Sequence, residues 1–200
     1  MAPDMDIRIA QSDDLREITN TVARAFAGDP LWGWAMSRED GRTDHHELIW
    51  ELFVEGALRY RSSWILGNGS AVSVWIPPGG SEMSDEQENR LLECVKASLG
   101  PRAIRFNEVL RLMGEAHPRS VDHYYLSLLG TDPDHRGQGL GMKLLDHDLA
   151  TIDLQSCPAY LESSNPANNE RYKRVGFEIV GSFQAPDGGP LVTTMWRSAR

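Results

Sequence analysis

The stretch from Tyr124 to Asp153 constrains this chain more than any other. Tyr124-Tyr125-Leu126-Ser127-Leu128-Leu129 is a mostly apolar run that reads as a buried strand, and Asp132-Pro133 breaks it. Behind the break, Leu140, Leu144, Leu145, Leu149 and Ile152 recur at helical spacing, with Asp146, His147, Asp148 and Asp153 between them. The turn Asp134-His135-Arg136-Gly137-Gln138-Gly139-Leu140-Gly141 therefore hands a strand to the N-terminus of an amphipathic helix. Such a turn offers free N–H groups, the positive end of a helix dipole and no Cβ atoms in the way. It is built to receive an anion, and a phosphate suits it.

Spacing narrows the ligand. A P-loop needs Gly-Lys followed by Ser or Thr, whereas Gly141 is followed by Met142, Lys143 and Leu144. A dinucleotide fingerprint needs a third glycine three residues after the second, where this chain has Met142 or Leu144. What remains is Arg-x-x-Gly-x-Gly over residues 136–141, after a strand that ends in Asp-Pro. The net charge of −9 argues against nucleic acid. A polyanionic ligand must then rely on local charge: His135, Arg136 and Lys143 around the loop, and Arg171, Lys173 and Arg174 further on. The acidity elsewhere either draws in a cationic substrate or serves solubility alone.

The rest of the chain reads as alternating strands and helices. Ile7-Arg8-Ile9-Ala10 is a first strand. Ser12-Asp13-Asp14 offers an N-cap for a helix carrying Leu15, Ile18, Val22, Ala25 and Phe26, which Gly28-Asp29-Pro30 stops. Leu31-Trp32-Gly33-Trp34 reads as a linker with two core tryptophans. A second helix spans 45–61, with His45-His46 expected to face solvent, because adjacent helical residues do not point one way. Trp64-Ile65-Leu66, Asn68-Gly69 and Ala71 to Ile76 form a hairpin signal that suits a type I′ turn, ended by Pro77-Pro78-Gly79-Gly80. Residues 82–116 suit two helices split at Gly100-Pro101. His123 opens the central strand without a visible carboxylate partner and reads as structural. Ala159 to Ser163 is a fifth strand, parallel to the fourth. An Asn-rich turn, Asn165-Pro166-Ala167-Asn168-Asn169, starts a short helix ending at Gly176, and two strands joined through Asp187-Gly188-Gly189-Pro190 close the chain.

Two hundred residues suffice for one domain over 1–200, and 40% hydrophobic with 24% charged residues suits a soluble protein. An acidic N-terminus without a hydrophobic leader makes the cytoplasm the expected compartment, and no apolar run is long enough for a membrane span. Cys94 and Cys157 lack metal-ligand spacing, so reduced thiols and no metal are expected. An acyl-cysteine at Cys157 is conceivable, but no His-Asp or His-Asn arrangement can be read around it.

The Arg136–Gly141 motif resembles the acyl-CoA loop of the GNAT superfamily of N-acetyltransferases, and the element order is similar to the whole GNAT fold. A second signature stands in place: Leu161-Glu162, the Asn-rich loop, and Tyr172 four residues before Gly176-Phe177. Within the superfamily, His123-Tyr124-Tyr125-Leu126 and Trp75-Ile76-Pro77-Pro78-Gly79 look like the branch with puromycin-type small-molecule acetyltransferases.

The resemblance implies an α/β fold: a central mixed sheet flanked by helices, with parallel strands four and five splaying apart. It implies acetyl-CoA as acyl-donor cosubstrate and direct transfer to a small-molecule primary amine in a ternary complex. By the same resemblance, Leu129, Gly130 and Thr131 pair with the pantetheine arm. The amides of Arg136, Gly137, Gln138, Gly139, Leu140 and Gly141 hold the pyrophosphate, and Asn168 sits near the CoA arm. Tyr172 protonates the departing thiolate. Glu162 is a candidate base, with a water chain as its rival and a structural cap on the Asn165 loop as the bland reading. An acyl-CoA sensor without turnover and a protein or peptide N-acetyltransferase stay open as alternatives, as does a homodimer.

Overall fold

In the computed structural model, residues 6–200 are described. The reading of the chain's start as acidic and leaderless falls on residues 1–5, outside the described residues. Seven strands form one sheet: β1 (Ile7–Ile9), β2 (Trp64–Leu66), β3 (Ala71–Ile76), β4 (Tyr124–Thr131), β5 (Ala159–Ser163), β6 (Glu178–Gln184) and β7 (Leu191–Arg197). Their order across the sheet is β1-β2-β3-β4-β5-β7-β6. Every pairing is antiparallel except β4 with β5. The helices are α1 (Leu15–Phe26), α2 (Pro30–Ala35), α3 (His45–Leu58), α4 (Asp85–Leu99), α5 (Ala103–Ala116), α6 (Leu140–Asp153) and α7 (Asn169–Arg174).

Two apolar layers sandwich the sheet. On one face, Ile65, Val72, Val74, Ile76 and Leu128 pack against α1 to α5 through Ile18, Val22, Trp32, Trp50, Val95 and Phe106. On the other, Trp64, Leu66, Trp75, Leu126 and Met195 pack against Leu140, Leu144, Leu145, Leu149 and Ile152 of α6. Strand β3 is buried at all six positions, which is why it reads as an unbroken apolar run. Among the described residues no helix is long and apolar enough to cross a membrane.

Several local expectations change. Leu31-Trp32-Gly33-Trp34 is helical, because Pro30 starts α2 and the Asp29 carboxylate accepts from the N–H groups of Leu31 (3.0 Å) and Trp32 (3.1 Å). Trp32 is buried in the core, edge-on to Trp50. His45 and His46 are both buried, against the expectation of solvent exposure. Helix α3 packs on two sides, and His45 Nε2 donates to the Met36 carbonyl (2.8 Å). Burial, with the field of His45 second, holds the His46 pKa down at about 4, so it stays neutral. Helix α3 ends at Leu58 rather than 61. The β2–β3 turn is not type I′. Leu66 pairs with Ala71, leaving four residues in the loop, and Gly67 and Gly69 take positive φ while Asn68 does not. Ser12–Asp14 is a 3₁₀ turn in which Asp14 accepts from the Gln11 N–H (2.8 Å), so α1 begins only at Leu15.

Candidate active site

Strand β4 makes the site by breaking its own regularity. Opposite β3, Val74 pairs with Leu128 and Trp75 with Leu126, which leaves Ser127 as an extra residue. Because side chains alternate along a strand, the bulge swaps the faces: Tyr125 and Leu128 both join the α1–α5 layer, and Leu126 and Leu129 both join the α6 layer. The ladder with β5 stops at the same place, Leu126 with Leu161, although β4 runs on to Thr131. Backbone groups beyond Leu126 thus face a cleft of about 610 Å³ rather than a neighbouring strand.

The glycine turn closes one end of this cleft. Gly137 (φ 81°) and Gly139 (φ 73°) both adopt left-handed backbone, and Gly139 is the N-cap of α6. A Cβ on either would meet nothing within 4 Å, so the space in front of these amides is open. A Cβ on Gly141 would lie 2.7 Å from Thr131 Oγ1, so the missing side chain lets α6 start against β4. The turn is tied to α1: Arg24 pairs with Asp132 (2.6 Å) and Asp134 (2.9 Å), and Arg136 Nη2 donates to the Ala25 carbonyl (2.8 Å). Arg136, Arg171 and Arg174 line the cleft and bring cations to a chain of net charge −9. An open, amide-lined cradle at the N-terminus of a 14-residue helix, with three arginines beside it, fits a CoA pyrophosphate.

Of the predicted donor-side residues, Leu129, Thr131, Arg136, Gly137, Gly139, Leu140, Gly141, Asn168 and Tyr172 line the cleft, and Gly130 and Gln138 do not. Gly130 instead faces α1, 3.4 Å from the Ala25 Cβ for an added methyl. Asn168 accepts from Arg171 Nη1 (2.9 Å), which holds both at the rim. Tyr172, half-buried on α7, packs edge-on to Phe177 at 6.2 Å. Burial first, and then the negative field of Asp29, push its pKa up to about 12, so it is a phenol with its proton in place at neutral pH. Asp29 is itself fixed by the α2 amides and by Ser164 Oγ, which donates at 2.8 Å. Cys157 lines neither this cleft nor its neighbour, and burial raises its thiol pKa, so no nucleophilic thiolate stands in the site.

A second cavity of about 770 Å³ lies between α4, α5 and the β3 end. The two share Phe53, Glu82, Leu110, Met113, Tyr125 and Glu162, so they meet at two carboxylates. The Glu162 side chain is 1% exposed and faces the Tyr125 and Tyr160 hydroxyls. It does not cap the Asn165 loop: Asn165 Oδ1 accepts from Ala167 N–H instead (3.0 Å). Glu82, which no sequence pattern marked, accepts a hydrogen bond from Ser127, the bulge residue. Burial pushes the Glu82 pKa up to about 7; the Ser127 bond opposes this and the Glu162 charge adds to it. Burial and then the Glu162 charge raise the Tyr125 and Tyr160 hydroxyls as well, so both phenols stay protonated.

His123 lacks a direct carboxylate partner, in agreement with its sequence, yet it is linked to one. His117 Nδ1 lies 3.8 Å from Glu162 Oε1, and His117 Nε2 lies 3.1 Å from His123 Nε2. These residues come from three stretches of chain: residue 82 after β3, residues 117–127 from the end of α5 into β4, and residue 162 in β5. The pairing of β4 with β3 and with β5 brings them together.

Comparison with known proteins agrees with this geometry. Residues 102–179 match the family model described as acetyltransferase (GNAT) domain. The fold is similar to that of the structure described as histone acetyltransferase HPA2 and related acetyltransferase from Corynebacterium glutamicum, with TM-score 0.65 and 21% identity over 100% of this chain and 98% of that one. It is also similar to the polyamine N-acetyltransferase of Drosophila melanogaster, which forms N-acetylagmatine (TM-score 0.66, 15% identity, 98% and 100% covered). Arylalkylamine N-acetyltransferase 2 from Aedes aegypti gives TM-score 0.63 at 14% identity, with 98% and 100% covered. The family match runs from α5 through the glycine turn to β6, the stretch in which the sheet parts between β4 and β5, and the whole chain shares its fold with these N-acetyltransferases.

Proposed function

We propose that the protein acetylates the primary amine of a small molecule, with one domain serving both substrates. The observation that carries this reading is the meeting of two cavities at Glu82 and Glu162. The cleft at the glycine turn takes acetyl-CoA, which supplies an activated thioester. Its anionic end lies on the amides of 136–141 and on Arg136, Arg171 and Arg174. The second cavity takes the acceptor. Its walls combine Phe53, Leu91, Leu110 and Met113 with acidic groups at the inner end, which suits an amine carried on an apolar body.

An alkylamine is an ammonium ion at neutral pH and must lose a proton before it attacks. The buried carboxylates attract the ammonium, and Glu162 takes the proton on an oxygen. Tyr172, at the other side of the junction, gives its phenolic proton to the departing thiolate. Named neighbours that act on agmatine-type and arylalkyl amines support this acceptor class, as does the enclosure by α4 and α5. The likeness of residues 75–79 and 123–126 to the puromycin-type branch points the same way.

Thiol release from acetyl-CoA, measured against a panel of amines, tests the reading. Agmatine and 2-phenylethylamine stand for two small-amine classes, and a lysine-containing peptide stands for proteins. Release with a small amine is expected. Release with the peptide alone would make this a protein acetyltransferase, and tight CoA binding without release would make it a sensor.

A further inference from the structure

We propose that His117, its ring fixed by His123, is the proton outlet of the site: it takes from Glu162 the proton surrendered by the acceptor ammonium and passes it to water in the acceptor cavity. The inference rests on the proposed amine acetylation and adds a residue that neither the sequence motifs nor the family match assigns.

Glu162 is almost wholly enclosed, so a proton placed on it has no direct path to bulk water. The ring nitrogen that faces it is His117 Nδ1 at 3.8 Å, on a half-buried side chain that lines the acceptor cavity. That separation exceeds a hydrogen bond by about 1 Å, a gap that a small rotation of either side chain closes.

Hydrogen-bond logic then sets the tautomers. His123 Nδ1 lies 2.7 Å from the Val121 carbonyl, which can only accept, so Nδ1 carries the hydrogen. Burial lowers the His123 pKa, so the ring is neutral and its Nε2 is an acceptor. His117 Nε2, 3.1 Å away, must therefore be the donor. This leaves His117 Nδ1 as a bare lone pair turned toward Glu162.

In that state His117 is a proton acceptor aimed at the base. Transfer breaks the O–H bond at Glu162 and forms N–H at His117 Nδ1, giving an imidazolium. Loss of that proton to cavity water restores the starting state, so one proton leaves the amine and one reaches solvent. Glu82 and Glu162 contribute negative charge, and the rings of Tyr125 (4.8 Å) and Tyr160 (5.0 Å) stand edge-on around the imidazole. Asp122 adds a further negative field at His123. His123 stays neutral and serves to hold the ring. His117 touches the base rather than the reacting atoms, so its role is proton conduction and not direct catalysis.

Two measurements test the proposal. Nitrogen-15 NMR of the whole protein at alkaline pH is expected to show His123 as the Nδ1–H tautomer and His117 as Nε2–H. A neutral His117 carrying its hydrogen on Nδ1 would overturn the relay, and this needs neither a variant nor an acceptor. Separately, His117→Gln is expected to lower kcat at pH 7 by about 10-fold or more, the scale of a lost acid–base group. Added imidazole should restore part of that loss while leaving the wild-type rate unchanged. A rate loss that imidazole does not touch, or no loss at all in a folded variant, overturns the proposal. Absence of thiol release from the wild-type protein with any amine would instead overturn the reading beneath it.

Discussion

Tyr172 keeps its proton because burial and the nearby Asp29 disfavour the phenolate. A phenol at about 12 holds its proton at neutral pH, so the proton is present when the thiolate forms in contact with it. Tyr172→Phe keeps the ring that packs on Phe177 and removes the proton. CoA affinity should change little, while kcat falls by about 10²-fold or more. Calorimetry and steady-state rates on the same preparation check this, and unchanged kcat would retire Tyr172 as the acid. Glu82 supplies a second test, read as stability. Its pKa rises from an ordinary 4.5 to about 7 on folding, so between those values the folded state holds more protons than the unfolded one. Its contribution is therefore full below pH 4.5 and is lost as pH rises through 7. Glu82→Gln keeps an acceptor for Ser127 and removes the charge. It should match the wild type near pH 4.5 and exceed it by about 3 kcal/mol at pH 8, read from denaturant melts. Equal stability at both pH values would show that the carboxylate is not desolvated.

At the scale of elements, the strand–turn–helix unit works because three features coincide. Strand β4 outruns its partner β5, the turn exposes amides at Gly137 and Gly139, and α1 clamps the turn through Arg24 and Arg136. Gly139→Val adds a branched side chain at φ 73° and fills the open space before the amides. CoA affinity should fall by about 100-fold or more, while the far-ultraviolet circular dichroism stays that of the wild type. Undiminished affinity by calorimetry would separate the turn from the pyrophosphate. The one-residue bulge at Ser127 is equally an element-scale effect: without it Tyr125 would face α6 and the junction would lose a wall.

Across the whole molecule, charge is divided by region. The net charge is −9, yet arginines gather at the donor cleft and carboxylates at the cavity junction. A cationic amine is drawn in by the overall field and by the inner carboxylates together. Its kcat/KM should fall severalfold as ionic strength rises from about 20 mM to about 200 mM, since the Debye length shrinks to roughly 7 Å. Stopped-flow or steady-state assays at saturating acetyl-CoA check this, and a salt-independent kcat/KM would leave the acidity to solubility alone.

The sequence alone determined what depends on neighbours along the chain. The apolar strand, the Arg-x-x-Gly-x-Gly turn and the periodic helix from Leu140 to Asp153 are legible because each is a local pattern with one physical use. Gly100-Pro101 parted α4 from α5, and the unbroken apolar run marked β3. The same local logic misplaced His45 and His46, since a helix packed on two sides buries residues that a single-faced helix would expose. It missed Glu82 and left His123 without a carboxylate link, because those roles arise from contacts between distant segments. Only tertiary structure decided that a one-residue bulge would bring Ser127 to Glu82, and that His117 would stand between Glu162 and His123. Their chemistry comes from desolvation and mutual charge, and neither exists until the chain is packed.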